Sequence, residues 1–231
     1  MLATLLSPAI VFCFAASCLT LAAPAWAGTI RGAVRFAGEA VEQKKLVVTV
    51  DQAVCGKEKD AEDLVLSAGK GIRNAVVSLQ GLSTDVKWPA TSPVQMDQKE
   101  CVFVPRVVLV PAGGTVEFLN GDRLLHNLRS RTKANPPFNR TQPKGRTIPI
   151  PFRAPEIIRI DCDLHPWMHA WVVVAEHPFY AVTGDQGEFV LENVPPGNYT
   201  LRLWHESLGT LTRAVTVNRG AATVNVEMGR R

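Results

Sequence analysis

Apolar and polar residues alternate over much of this chain. Ile30, Gly32, Val34 and Phe36 share one parity, and 46–50 follows as a second apolar stretch. Successive side chains of a strand point to opposite faces, so shared parity marks a face that packs inward. Similar short runs recur at 72–79, 102–104, 107–110, 115–119, 157–160 and 171–175, and again at 188–191, 199–204, 211–217 and 222–228. No stretch longer than about ten residues carries the helical period. The pattern predicts an all-β protein of many short strands. Between the runs, 57–63 reads as a charged loop, 83–98 as a polar, proline-bearing connector and 128–146 as a long loop rich in Arg, Pro and Asn.

The first 27 residues break the alternation. They contain no Asp, Glu, Lys or Arg, and they close on Ala25-Trp26-Ala27. An apolar segment ending in a small-x-small pattern is a secretory signal peptide. It lacks the usual positive start, and an uncleaved membrane anchor is the alternative reading. An anchor attached at Cys18 is disfavoured, because Ala15 stands where a large aliphatic residue is wanted. Cleavage implies export to the periplasm and leaves no integral membrane segment. The chain from Gly28 onward is long enough for one large or two small β-rich domains. The 16 prolines and 17 glycines suit many turns, and the net charge of +4 gives no case for nucleic acid.

Of the five cysteines, Cys13 and Cys18 leave with the leader. Cys55, Cys101 and Cys162 remain, an odd number in an oxidising compartment, so one thiol has a task other than pairing. Cys55 and Cys101 are expected to form a disulfide tying the N-terminal segment to the next unit, provided their Cα atoms come within about 7 Å.

Cys162, His165 and Met168 lie in one loop between two strands, each separated from the next by two residues. Thiolate, imidazole and thioether together suit copper, and two imidazoles, one thiolate and a weak axial Met form the blue-copper set. The second imidazole comes from elsewhere; His126, just after Asn120-Gly121-Asp122 at a strand end, is the candidate. Four protein ligands leave no open position, which points to outer-sphere electron transfer by one copper ion. Neither a Ser-His-Asp set nor H-E-x-x-H is evident, so no enzyme is expected. His177 and His205 are isolated among strand residues and read as structural.

The loop Cys162-Asp-Leu-His165-Pro-Trp-Met168 resembles the ligand loop of amicyanin-type cupredoxins, C-x-x-H-P-aromatic-M. Phe103-Val-Pro105, Val110-Pro-Ala-Gly113, Val116-Glu-Phe118 and Asn120-Gly-Asp122 are similar to the strand pair leading to the first ligand His of that family. The resemblance implies a cupredoxin Greek-key β-sandwich over about 96–177. It implies too that Asn127 hydrogen-bonds across to the Cys-bearing loop, and that the ring edge of His165 reaches the surface beside Pro166 and Trp167. Similar proteins are associated with methylamine utilisation. Two positions depart from the family: Asp161 replaces an aromatic before the Cys, and His169-Ala170 follows the Met where Gly is common. His169 is therefore a competitor of Met168 as fourth ligand.

A second resemblance lies further on. Gly187-Glu-Phe189-Val-Leu191, then Val194-Pro-Pro-Gly197-Asn-Tyr199-Thr-Leu201, looks like the motif of carboxypeptidase-regulatory-like, transthyretin-like (Ig-like) β-sandwiches. Their usual first strand, G-x-[IV]-x-G-x-[VF], appears far upstream at Gly28-Thr-Ile30-Arg-Gly32-Ala-Val34. The implied arrangement is a sandwich built from 28–95 and 178–231 with the cupredoxin unit inserted, the strand at 72–79 belonging to either. No aromatic platform for sugar is evident, so this sandwich is expected to be scaffolding.

Between Arg123 and Arg153 stand eight basic residues (Arg123, Arg129, Arg131, Lys133, Arg140, Lys144, Arg146, Arg153) and no acid. They are either a solvated loop or a rim that steers an acidic redox protein partner. The leading expectation is a periplasmic carrier of single electrons. The alternatives are a copper-binding or delivery protein, and a metal-free structural or carbohydrate-binding sandwich.

Overall fold

The computed structural model describes residues 27–39, 42–82, 86, 88–89 and 92–230. The expected leader, with Cys13 and Cys18, lies outside the described residues as far as residue 26. No helix among the described residues is long and apolar enough to cross a membrane.

The fold is all-β, and its sheets enclose two main apolar cores. Gly28–Phe36 pairs antiparallel with Glu188–Val194 and parallel with Ala221–Thr223 and Val226–Met228. Facing it, the second sheet runs Tyr180–Val182, Val76–Gln80, Gly197–His205, Gly209–Val217 in that order. Ile30, Val34 and Phe36, of one parity, are buried together with Val77, Leu79, Leu191, Leu201 and Leu203. Strands from both ends of the chain therefore share one core. Gly187 turns into this sheet at φ 77, where an added Cβ would lie 2.3 Å from the Val34 carbonyl oxygen. A glycine is required there on both counts.

The intervening chain forms the other pair of sheets. One runs Asn139–Gln142, His126–Arg131, Glu156–Asp161, His169–Ala175, Val107–Pro111; the other runs Ile148–Pro151, Thr115–Asn120, Val94–Lys99, Val102–Val104. Their core holds Met96, Phe103, Val116, Phe118, Leu128, Ile158, Ile160 and Val172.

Several expected loops are structured. The expected connector contains most of Val94–Lys99, which runs parallel to Thr115–Asn120. The expected long loop contains most of His126–Arg131 and all of Asn139–Gln142, which pair with one another. The charged stretch at 57–63 supplies Glu58–Asp60, paired with Lys45–Val47. Only part of the stretch before residue 95 joins the first core, because Val48 and Cys55 are buried in the second. Cys55 ends a one-turn helix, Gln52–Cys55, and is bonded to Cys101 with a Cα separation of 5.3 Å.

Candidate metal centre

Strand parity aims the side chains expected to be ligands. Ile158, Ile160 and Cys162 fall on one inward face, and His126 and Leu128 on that of the neighbouring strand. Antiparallel pairing of Glu156–Asp161 with His169–Ala175 brings Asp161 opposite His169 and closes the loop between them. Within that loop the Met168 amide donates to the His165 carbonyl at 2.8 Å, and the Cys162 amide to the Met168 carbonyl at 3.1 Å. Asn127 fixes the loop from outside, its Oδ1 accepting from the Asp163 amide at 2.9 Å.

Three donor atoms converge. His126 Nδ1 and His165 Nδ1 lie 3.0 Å apart, and Cys162 Sγ is 3.5 Å from the second and 4.0 Å from the first. All three residues are buried, both histidines at 0% exposure. Met168 is buried in the same core. Burial pushes the Cys162 thiol up; the backbone N–H groups of Asn127, Leu164 and His165, which point at the sulfur, oppose this.

The outer nitrogens explain why the inner ones are bare. His126 Nε2 is 2.9 Å from Asp122 Oδ2, and His165 Nε2 is 3.1 Å from Asp51 Oδ2. A ring that donates its Nε2 proton to a carboxylate presents a lone pair at Nδ1. Two such lone pairs then face each other beside a sulfur, an arrangement that a cation satisfies. Burial, ahead of the other influences, holds His126 below the ordinary imidazole range, which disfavours a proton in that role. The separations fit an ion of zinc or copper size. With about 2.0–2.1 Å to nitrogen and about 2.3 Å to sulfur, two ligand atoms on one ion stand at most about 4.4 Å apart. The donor set, one thiol and two imidazoles, is the soft mixture that favours copper.

Among the described residues a second cluster, Cys101, Asp122 and His126, also brings ligand atoms together. Its sulfur is spent in the disulfide and offers no thiolate. His169 lies outside both clusters. Its Nε2 is 2.9 Å from Glu206 Oε2 and 2.5 Å from an Arg106 amino group, so its ring is engaged elsewhere. His177 and His205 sit apart from the centre, hydrogen-bonded to backbone.

Neither Asp51 nor Asp122 has a role at this centre in the sequence reading. Asp122 carried a weak signal, standing four residues before His126 in the Asn-Gly-Asp turn. Asp51 carried none. The expectation that the His165 ring edge reaches the surface does not hold, because Asp51 and its turn lie over it.

No protein-family model matches this chain, and no curated protein matches it. Solved structures do. A copper-containing nitrite reductase from Thermus scotoductus SA-01 is 25% identical, over 42% of this chain and 25% of that one, with a TM-score of 0.35. The chain thus spans about a quarter of the reductase. A purple cupredoxin from Nitrosopumilus maritimus is 22% identical over 36% of this chain and 99% of its own, with a TM-score of 0.32. A mutant of amicyanin, in its reduced Cu(I) form, is 18% identical over 43% of this chain and 98% of its own, with a TM-score of 0.34.

Proposed function

We propose that this chain is an exported copper protein that carries single electrons between redox partners. His126, Cys162 and His165 hold one copper ion, with Met168 as the weak fourth ligand. The observation that carries this reading is the pair of Nδ1 atoms 3.0 Å apart beside the Cys162 sulfur, each ring held by a carboxylate on its other nitrogen. Copper bound there supplies a one-electron couple. The chain's own residues hold the donors still and exclude water from them. With four protein ligands there is no place for a substrate, which favours a carrier over an enzyme. A delivery role asks for an exchangeable ligand, and neither imidazole has an exposed edge.

Leu125 and Leu164, each directly before a ligand histidine, are exposed large apolar residues. With the exposed basic residues between Arg123 and Arg153 they form a surface for an acidic redox protein. Arg129 and Arg131 are already paired with Asp163 and Asp161, so the steering charge rests on the others. The apolar leader and the Cys55–Cys101 disulfide support a periplasmic location. The likeness of the ligand loop to amicyanin-type loops supports amine oxidation as the setting.

Titration of the metal-free protein with Cu(II), beside a Cys162→Ser variant, tests the reading. The expected result is an intense visible absorption and a reversible one-electron wave, both absent from the variant. A protein that stays colourless and shows no such wave is not an electron carrier.

A further inference from the structure

The edge of His165 is closed by residues from outside the strands that bear the ligands. Asp51 Oδ2 lies 3.1 Å from His165 Nε2, across 114 positions of sequence. The Asp51 carboxylate is about half exposed while the imidazole beneath it is fully buried. Asp51 adopts a left-handed conformation, φ 52 and ψ 31, and its carbonyl accepts from the amides of Val54 and Cys55 at 3.0 and 2.9 Å. Gln52 Nε2 donates to the Val48 carbonyl at 2.6 Å, and Val48 is fully buried. The turn is thus anchored at one end by Val48 and at the other by the disulfide from Cys55 to Cys101.

The same disulfide reaches the other imidazole. The Cys101 amide donates to Asp122 Oδ2 at 2.8 Å, the Glu100 amide to Asp122 Oδ1 at 2.7 Å, and Asp122 Oδ2 meets His126 Nε2. Trp167, whose ring centre is 5.2 Å from that of His165, donates its Nε1 proton to the Cys101 carbonyl at 3.0 Å. The two carboxylates that orient the rings are therefore joined through one covalent strut.

We infer that Asp51 is a positioning residue for the metal centre, and that its stapled turn is a fixed cap over His165. The carboxylate holds the ring with Nδ1 turned inward, and the turn keeps water and exchanging ligands from its edge. Metal held beneath it leaves slowly, and a redox partner does not touch the His165 ring directly. This inference rests on the proposed metal reading.

Asp51→Gly and Asp51→Asn separate the parts of the claim, since both residues tolerate the left-handed backbone and keep the disulfide. Asparagine retains an oxygen that accepts the ring proton; glycine retains nothing. In Cu(I)-loaded protein challenged with an excess of a chromophoric chelator, the glycine variant is expected to release metal about 10- to 100-fold faster, matching the loss of affinity typical when an outer partner of a metal-bound His is removed. The asparagine variant stays near the parent. Alkylation of Cys162 by iodoacetamide in the metal-free proteins, read by mass, is expected to follow the same order. Unchanged release from the glycine variant overturns the inference. Should the parent retain no Cu(I), the copper reading fails on its own, and the alkylation rates still decide the cap, equal rates overturning it.

Discussion

Four of the five histidines fall into two kinds, distinguished by what meets the ring. His126 and His165 give their outer nitrogens to carboxylates and keep Nδ1 for another partner. His177 and His205 spend their rings on backbone. His177 Nε2 donates to the Leu79 carbonyl at 2.9 Å and its Nδ1 accepts from the Phe179 amide at 3.2 Å. His205 Nδ1 accepts from the Ser207 amide at 3.3 Å. Burial, first among the influences on each, holds both below the ordinary imidazole value of 6.5. A neutral ring is thus favoured in the folded state, and the unfolded chain binds more protons as pH falls. Stability is complete above the ordinary imidazole range and declines as pH drops through it. The midpoint of thermal unfolding of the metal-free protein is expected to fall between about pH 7.5 and 5. His177→Gln, which keeps a donor and an acceptor but takes no proton, flattens that decline. An unchanged slope would remove His177 from the account.

At the scale of elements, burial and sequence polarity part company. Val94–Lys99 has only two aliphatic side chains, yet it lies between Thr115–Asn120 and Val102–Val104. Its inward parity is Met96 and Gln98, both at 0% exposure. Gln98 Nε2 donates to Gln142 Oε1 at 2.6 Å and to the Leu119 carbonyl at 3.2 Å, while its Oε1 is buried without a hydrogen-bond partner. Buried polar groups are usually hydrogen-bonded, as the amide nitrogen is here, and nothing local announces those partners. Met96→Ala is therefore expected to cost about 2–5 kcal/mol in urea unfolding, the range for emptying a buried site of that size. A loss below about 1 kcal/mol would return this segment to the periphery. The candidate ligand loop is far more legible. Cys162, His165 and Met168 are near neighbours in sequence, and the strands on either side of them are apolar. His126–Arg131 was hidden by arginines on its outward parity, with Arg129 and Arg131 exposed while Leu128 and Ser130 are buried.

Across the whole molecule, the two sandwiches meet at a buried ion pair. Arg106 Nε is 2.6 Å from Glu206 Oε1, and an Arg106 amino group is 3.0 Å from Oε2. Arg106 precedes Val107–Pro111 of one sandwich; Glu206 follows Gly197–His205 of the other. Burial pushes the Glu206 carboxyl up, but the His169 and Arg106 partners outweigh this and hold it at about 2. A third apolar cluster of Val76, Val107 and Val173 lies at the junction, where Trp171 and Trp204 meet edge to face at 4.9 Å. His169 directly follows Met168, so Glu206 also braces the candidate ligand loop from the first sandwich. Arg106→Ala leaves the buried Glu206 carboxylate with His169 alone as its side-chain partner and is expected to cost about 3–5 kcal/mol. The double variant Arg106→Met with Glu206→Leu, which removes both charges, recovers most of that loss. Equal destabilisation of the single and double variants in urea would show that volume, rather than charge, holds the junction.

What the chain's order determined by itself were features set within a few residues. Strand faces follow from a period of two, and the Cys-x-x-His-x-x-Met loop from its own spacing. The all-β character follows from the lack of any helical period. Tertiary structure alone decided which distant groups meet. It placed Asp51 on His165, made Val94–Lys99 an interior strand, and turned His169 away to Glu206. Such encounters depend on sheet register and on how layers pack, which sum contacts over the whole fold. No local pattern in the chain encodes that sum.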